Sequence, residues 1–301
     1  MRIMVDTAIK EKIKKIAKDS LIDELRFIAA GAFEPLDVYA GRQPSDFMLG
    51  AKSIIVGSIY IGAFFLEGWE DGAHATTSRL TLSGFYFNVV DPMLSIQEFL
   101  IAKGYRAVIA DGFNELACIP LKPAAERGGL GWIGRNTLLL NEKYGSWQAI
   151  GAIITDADLS EVYPIAENRC GECKTCVDVC PMNALEKPSK LIRERCLSHL
   201  LEEDDAPNSA LSASGTYLVE CDLCQNSCPW NKKHLKNPLE TPRGKSFAGK
   251  RELLDLLQFD HLMAMDEAAY LKYIVPNFSG ITLSYKAFRR NLEAANSRKL
   301  I

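Results

Sequence analysis

Nine cysteines are the feature that most limits what this 301-residue chain can fold into. Four of them, Cys170, Cys173, Cys176 and Cys180, form a C-x2-C-x2-C-x3-C-P run that ends at Pro181. This spacing is typical of [4Fe–4S] ferredoxins, in which the first three thiolates bind one cube and the fourth, before the proline, binds another. The run therefore predicts more cysteine ligands downstream.

A second motif follows, in which Cys221, Cys224 and Cys228 precede Pro229, and Cys196 lies between the two motifs. Eight thiolates suffice for two cubes. We assign one set of four to each cluster: Cys170, Cys173, Cys176 and Cys228 to the first, and Cys180, Cys196, Cys221 and Cys224 to the second. Two four-cysteine zinc sites are the alternative. The closely spaced third cysteine of the run and both Cys-Pro endings favour iron–sulfur.

Composition excludes several classes of protein. The chain is 48% hydrophobic and 24% charged, as in an ordinary globular protein, and its net charge of -3 argues against binding nucleic acid by bulk positive charge. The longest nearly apolar run, 53–66, is shorter than the roughly 20 residues of a membrane span. Lys10, Lys12 and Lys14 interrupt any signal-peptide core. We expect a cytoplasmic protein without membrane contact, whose thiols stay reduced.

The order of predicted elements indicates an α+β chain in three parts. Hydrophobic periodicity predicts these elements: helices at 7–18, 94–103 and 285–295, and strands at 54–61, 105–109, 137–140 and 147–154. Alternating strands and helices predict an α/β domain over 1–160 that houses a second redox centre or a substrate site. The polar, cysteine-rich segment 161–236 predicts a ferredoxin-like domain that needs its metal to fold. Residues 237–301 are predicted to form a short helical C-terminal segment.

A glycine-rich loop matches a nucleotide-binding motif by its letters alone. Gly129, Gly131 and Gly134 fit G-x-G-x-x-G, but that fingerprint must follow a strand and open a helix. Here a helix is predicted before the loop and a strand after it, so we reject a Rossmann site. We predict instead that the loop brings the backbone close to a flat cofactor, with Trp132 and Trp147 beside it.

Two stretches of the sequence resemble the epoxyqueuosine reductase family. They are Ala125–Asn136 (AERGGLGWIGRN, with Gly145–Trp147 after it) and Cys221–Asn231 (CDLCQNSCPWN). The resemblance implies a nitroreductase-like N-terminal domain, a ferredoxin-like domain with two [4Fe–4S] clusters, and a base-off cobalamin between them. It implies an oxidoreductase that reduces epoxyqueuosine to queuosine in tRNA, with a ferredoxin or flavodoxin as the electron donor.

Glu115 occupies the place of the family's proton-donor aspartate. A carboxylic acid can deliver a proton when its surroundings raise its pKa, so we predict Glu115 as the catalytic acid. Cys118, the ninth cysteine, lies three positions further on, and we expect it to be a buried structural thiol.

Many family members continue into C-terminal helical repeats that help to grip tRNA, and we expect this chain to be a short form without them. RNA contact would then depend on the stretch 231–251, which has seven basic residues (Lys232, Lys233, Lys236, Arg243, Lys245, Lys250 and Arg251) against Glu240. Lys286, Arg289 and Arg290 would extend it.

Three other functions are open at this point. The first is a related corrinoid and iron–sulfur reductase that acts on a small organic substrate, such as a dehalogenase. The second is an electron-transfer protein that reactivates a corrinoid partner. The third is a zinc-stabilised RNA-binding module.

Overall fold

The structure is a computed structural model that describes residues 2–34, 43–66, 68–69, 71–83, 90–110, 119–186, 189–247, 251–278 and 283–298. The strands are β1 Glu24–Ala29, β2 Ser53–Tyr60, β3 Thr76–Thr77, β4 Ala107–Ala110, β5 Trp132–Ile133, β6 Leu139–Leu140, β7 Gln148–Thr155 and β8 Tyr217–Val219. The helices are α1 Arg2–Asp19, α2 Pro44–Phe47, α3 Arg79–Leu82, α4 Asp91–Ala102, α5 Leu121–Arg127, α6 Thr175–Asp178, α7 Leu197–Leu200, α8 Asn208–Ala213, α9 Leu223–Asn226, α10 Pro229–Lys236, α11 Pro242–Phe247, α12 Arg251–Leu256, α13 Phe259–Ala264, α14 Glu267–Ala269 and α15 Tyr285–Asn296.

An antiparallel sheet with the strand order β1-β2-β7-β4 forms the centre of the first compact unit. This unit comprises Met1–Tyr60, Tyr86–Gly134 and Leu138–Arg169. Side chains alternate between the two faces of a strand. On β2, Ile54 and Val56 therefore pack in a core with Ala124 and Ala125 of α5. Ile55 packs on the other face, in a core with residues of α1 and α4. Burial on both faces explains why β2 is a continuous apolar run.

The elements predicted from periodicity are present, with shifted ends. The predicted helices at 7–18 and 94–103 correspond to α1 and α4, and the predicted strands at 54–61 and 147–154 correspond to β2 and β7. The predicted strand at 137–140 is shorter, because Thr137 has a φ of 65° and cannot continue an extended strand. β1 was not predicted, since the charged Glu24 and Arg26 interrupt its apolar residues.

The second compact unit comprises Ile61–Phe85, Arg135–Thr137 and Cys170–Ile301. In it β3 and β8 pair in parallel, and short helices carry most of the remaining chain. Near its C-terminus α15 packs Phe288 against Tyr270, with ring centroids 4.5 Å apart. The buried amide of Asn291 donates hydrogen bonds to the carbonyl oxygens of Leu201 and Leu218, at 2.8 and 2.7 Å.

The structure confirms the mixed helix-and-sheet class. The domain boundaries at residues 160 and 236 stay predictions. Within the part of the chain that the structure describes, no helix is long and apolar enough to cross a membrane.

Candidate functional site

Both cysteine motifs fold in the same local way, as a turn followed by one helical turn. In the first motif, the amide of Cys173 donates to the carbonyl oxygen of Cys170 at 3.0 Å, and α6 follows. In the second, the amide of Gln225 donates to the carbonyl oxygen of Asp222 at 2.9 Å within α9. Cys228 then serves as the N-terminal cap residue of α10. Each motif thus places its closely spaced cysteines on a turn and the short helix that follows it.

The thiols of Cys170, Cys173 and Cys228 lie near enough to Cys176 to affect its pKa. Burial, followed by the neighbouring Cys228, Cys170 and Cys173 thiols, raises the pKa of Cys176 to about 11. Cys176 and Cys228 are buried, whereas Cys173 is exposed to solvent.

A second group of thiols surrounds Cys221. Burial, followed by the charges of Asp222, Cys196 and Cys180, raises the pKa of Cys221 to about 12. Burial also raises the pKa of Cys224, and the Cys221 thiol adds to that shift. None of the eight described cysteines forms a disulfide bond. Within the described residues, no group of three or more His, Cys, Asp or Glu side chains converges as a site for one metal ion. The role of the thiols as cluster ligands stays a prediction.

Hydrogen bonds from other segments hold both cysteine loops. Arg135 donates to the carbonyl oxygen of Gly171, between Cys170 and Cys173, at 2.8 Å. Asp222, between Cys221 and Cys224, is 1% exposed, and burial raises its pKa to about 7. Neither Arg135 nor Asp222 was predicted from the sequence to be a functional residue. The position of Asp222 between two cysteines of a motif was the one feature of the sequence that could have indicated its role.

The glycine loop packs against the chain's own backbone. Gly129 has a φ of 68°, and a Cβ atom there would lie 2.7 Å from the carbonyl oxygen of Pro164. Gly131 has a φ of 157°, and a Cβ atom there would overlap the carbonyl oxygen of Leu140. The loop follows α5 and includes β5, which pairs with β6, so it does not open a helix, as expected when the Rossmann site was rejected. The contact of Gly129, Gly131 and Gly134 with a cofactor stays a prediction.

Trp132 and Trp147 are core residues of the first unit. Their exposed fractions are 3% and 0%. Trp132 pairs with Leu140 in β5–β6, and Trp147 directly precedes β7. Their role beside a cofactor stays a prediction as well. Glu115 and Cys118 lie outside the described residues.

The basic stretch 231–251 is only partly described. Lys232 and Lys233 are exposed, and Lys245 forms an ion pair with Glu240 at 2.9 Å. Lys250 lies outside the described residues, as do the side chains of Lys236 and Arg251.

Two of the basic residues of α15 contact an acidic segment of their own unit. Lys286 pairs with Asp205 at 3.3 Å, and Arg290 donates to the carbonyl oxygen of Glu203 at 2.7 Å. Arg289 lies 3.7 Å from Glu293 and donates to the carbonyl oxygen of Met263 at 3.0 Å. Lys286, Arg289 and Arg290 therefore interact with residues of their own unit, although we expected their charges to extend the basic stretch 231–251.

Comparison with known proteins gives a consistent result. Residues 169–231 match a family described as "4Fe-4S double cluster binding domain". An epoxyqueuosine reductase of Vibrio cholerae is 31% identical over 263 residues, which cover 83% of this chain and 67% of that protein. One of Aliivibrio fischeri is 32% identical over 217 residues, which cover 70% of this chain but 55% of that protein. The chain thus spans little more than half the length of some curated relatives.

Solved structures show the same fold. A structure of epoxyqueuosine reductase with an epoxyqueuosine-modified tRNA-Tyr stem loop has a TM-score of 0.82 and 22% identity, and covers 97% of this chain and 82% of that chain. A selenomethionine-labelled epoxyqueuosine reductase has a TM-score of 0.83 and 23% identity, with the same coverage of 97% and 82%. A reductive dehalogenase, described with a mechanism for B12-dependent dehalogenation, has a TM-score of 0.56 and 19% identity, covering 93% of this chain and 37% of that one.

Proposed function

This chain belongs to the epoxyqueuosine reductase family, and from that membership we propose that it reduces epoxyqueuosine to queuosine in tRNA. The observation that carries the proposal is the match of residues 169–231, which contain two sets of neighbouring thiols, to the double-cluster domain. Two clusters supply electrons one at a time, which suits a reductase whose net reaction takes two electrons.

We propose the two sets of cysteines as ligands of two [4Fe–4S] clusters. Cys170, Cys173, Cys176 and Cys228 hold one, and Cys180, Cys196, Cys221 and Cys224 hold the other. Two observations support this fit: none of the eight described cysteines forms a disulfide bond, and each set contains neighbours close enough to shift one another's pKa. Deprotonated thiolates are the ligands that such clusters require. When bound, a cluster accepts and donates single electrons.

Cobalamin is the further cofactor that we propose, within a nitroreductase-like N-terminal domain. Support comes from family membership and from the fold shared with the reductive dehalogenase. The glycine loop itself packs against Pro164 and Leu140, so its predicted contact with a cofactor is not assigned a role in the reaction.

Glu115 is the proposed proton donor to the departing oxygen. The expected result of Glu115→Gln is loss of turnover with both clusters retained, because the amide cannot donate the proton that a carboxylic acid supplies. Glu115→Asp, which places the family's residue at this position, is the matched control and should keep turnover. Unchanged turnover in Glu115→Gln would remove Glu115 from the mechanism.

The proposed partners are a ferredoxin or flavodoxin as electron donor and tRNA as substrate, in the cytoplasm. Exposed Lys232 and Lys233 support a contact between the stretch 231–251 and the tRNA backbone. Charge reversal at these two lysines should weaken tRNA binding and reduce its dependence on salt. An unchanged salt dependence would exclude them from the tRNA contact.

The deciding experiment is anaerobic purification followed by assays for iron, sulfide and corrinoid. The protein is then incubated with epoxyqueuosine-modified tRNA and a chemical reductant. We expect about eight irons per chain, bound corrinoid, and conversion of the modified base. If the protein holds both cofactors but leaves this tRNA unchanged, the proposed substrate is wrong, whereas the proposed cofactors are supported.

A second candidate is reduction of a small organic molecule. The fold shared with the reductive dehalogenase favours it, as does Glu115 in place of the family's aspartate. The same loaded preparation distinguishes the two, since halide release from an aryl halide would support this candidate and tRNA conversion would support the first.

A further inference from the structure

Cys221 lies between two carboxylates that both bind the same distant segment. Glu220 precedes it and Asp222 follows it, and each accepts hydrogen bonds from residues of 78–81. In sequence, this segment belongs to the predicted N-terminal domain, yet it lies in the same compact unit as the cysteines. We call residues 76–82, which include β3 and α3, the brace.

Asp222 holds the loop between Cys221 and Cys224 by two hydrogen bonds. One carboxylate oxygen accepts from the backbone N–H of Arg79 at 2.7 Å, and the other accepts from the Gln225 side chain at 2.8 Å. The side chain is fully buried, so these partners replace the water that a carboxylate would otherwise bind. Loss of the hydrogen bond to a buried donor such as the Arg79 N–H costs about 1–3 kcal/mol.

Glu220 holds the other side of Cys221. Its carboxylate accepts a hydrogen bond from the Thr81 hydroxyl at 2.6 Å and another from the Ser78 hydroxyl. Its backbone has a φ of 54°, in the left-handed region that costs a residue with a side chain about 1 kcal/mol or more. Surrounding contacts must maintain such a conformation. The two hydroxyls supply such contacts directly before a predicted cluster ligand.

The brace is itself firmly held. Thr76 pairs with Tyr217 and Thr77 with Val219, so β3 is hydrogen-bonded to the strand that leads into Cys221. The guanidinium of Arg79 is buried, donates to the carbonyl oxygen of Gly62 at 3.3 Å, and lies 5.6 Å from the ring centroid of Phe65. A rigid brace can therefore impose a position on the loop that it binds.

We propose that Asp222 and Glu220 are positioning residues for the cluster held by Cys180, Cys196, Cys221 and Cys224, and that the brace is their anchor. This inference rests on the proposed cluster ligands, although not on the tRNA substrate or on cobalamin. A thiolate must be held close to its ideal position to keep an iron, and a loop released from the brace lets two ligands move together. Three of the four ligands of the first cluster lie in the other motif, which contains neither residue, so this cluster should be retained.

The test compares Asp222→Ala and Asp222→Asn with Asp266→Ala in the full chain, purified anaerobically. Asp266 is the matched control, because its carboxylate also accepts a backbone N–H at the start of a helix, from Ala269 at 2.8 Å. We expect Asp222→Ala to hold about half the iron of the unaltered protein, with the EPR signal of one reduced cluster retained and the other lost. Asp222→Asn keeps an acceptor for the Arg79 N–H and should lose iron to a chelator severalfold more slowly than Asp222→Ala, yet faster than Asp266→Ala.

The iron contents, EPR spectra and rates of iron loss of these variants distinguish the positioning role from its alternatives. If Asp222→Ala is insoluble, faster loss of the absorbance near 400 nm from Asp222→Asn than from Asp266→Ala supports the proposal, and equal rates overturn it. Equal iron contents and identical EPR spectra in Asp222→Ala and Asp266→Ala would overturn the positioning role while leaving the clusters in place. An unaltered protein without iron would overturn the cluster assignment, and this inference with it.

Discussion

The guanidinium of Arg135 donates a hydrogen bond to the carbonyl oxygen of Gly171 over 2.8 Å. Gly171 lies between Cys170 and Cys173 and has a φ of 51°, which glycine adopts at little cost. Arg135 comes from the conspicuous glycine-loop sequence, yet it lies in the same compact unit as the cysteines. The residue thus links two motifs that are far apart in the sequence.

We expect Arg135→Met to destabilise the first cysteine loop by about 1 kcal/mol, because it removes one hydrogen bond. The cluster bound there should lose iron to a chelator faster, as measured by the decay of absorbance near 400 nm. Arg169→Met is the control, since Arg169 directly precedes Cys170 but forms an exposed ion pair with Glu142. Equal decay rates in the two variants would contradict a role for the Arg135 bond.

Gly131→Ala should be far more harmful than Gly104→Ala. Both positions have a positive φ, so each alanine costs about 1 kcal/mol in backbone conformation. At Gly104 a Cβ atom has no neighbour within 4 Å, whereas at Gly131 it overlaps the carbonyl oxygen of Leu140. We expect an additional loss of about 1–3 kcal/mol at Gly131, measured as the free energy of unfolding in urea. Similar losses at both sites would show that the close approach to Leu140 is wrong.

Tyr163→Phe should destabilise the first unit in a pH-dependent way. The Tyr163 hydroxyl donates to Glu161 at 2.7 Å and accepts from the backbone N–H of Phe27 at 3.2 Å. Burial, followed by the bond to Glu161, raises the pKa of Tyr163 from 10.0 to about 12. The folded state therefore binds the phenolic proton more tightly than the unfolded state does, so stability falls as pH rises through this interval.

The difference in unfolding free energy between the unaltered protein and Tyr163→Phe should be about 1 kcal/mol at pH 8. It should shrink between pH 10.0 and about pH 12, as the unfolded phenol ionises first. Urea titrations at a series of pH values measure it. A difference that grows with pH in that interval would contradict the assigned hydrogen bonds.

Removal of iron should unfold the cysteine segment and leave the four-stranded sheet folded. The described part of 170–231 consists of short helices, turns and the three-residue strand β8, with small apolar contacts such as Leu197 and Leu200 with Ala210. The sheet is instead covered on both faces by apolar residues. Hydrogen exchange before and after chelation should show lost protection in 170–231 and unchanged protection in β2 and β7. Equal protection of the cysteine segment in both states would show that it folds without metal.

Local features of this protein could be predicted from the sequence. The spacing from Cys170 to Cys180 is local, so the cluster motif could be recognised in the sequence without knowledge of the fold. β2 was recognisable because a strand buried on both faces is a continuous apolar run, and α1 because Ile9 and Ile13 recur on one helical face. The rejection of a Rossmann site also followed from local order, helix before loop and strand after.

The long-range contacts required the tertiary structure. The pairing of Asp222 with Arg79 joins residues 143 positions apart, and a polar side chain carries no sign of a partner at that distance. The glycines of the loop were predicted to admit a cofactor, yet the groups beside Gly129 and Gly131 are the carbonyls of Pro164 and Leu140. A glycine in the sequence indicates that another group approaches the backbone closely, but only the folded structure identifies that group. The sequence by itself determined the double-cluster motif and the main helices and strands, because these depend on neighbouring residues. The tertiary structure decided which distant segments hold the cysteines in place, because burial and hydrogen bonding are properties of the packed chain.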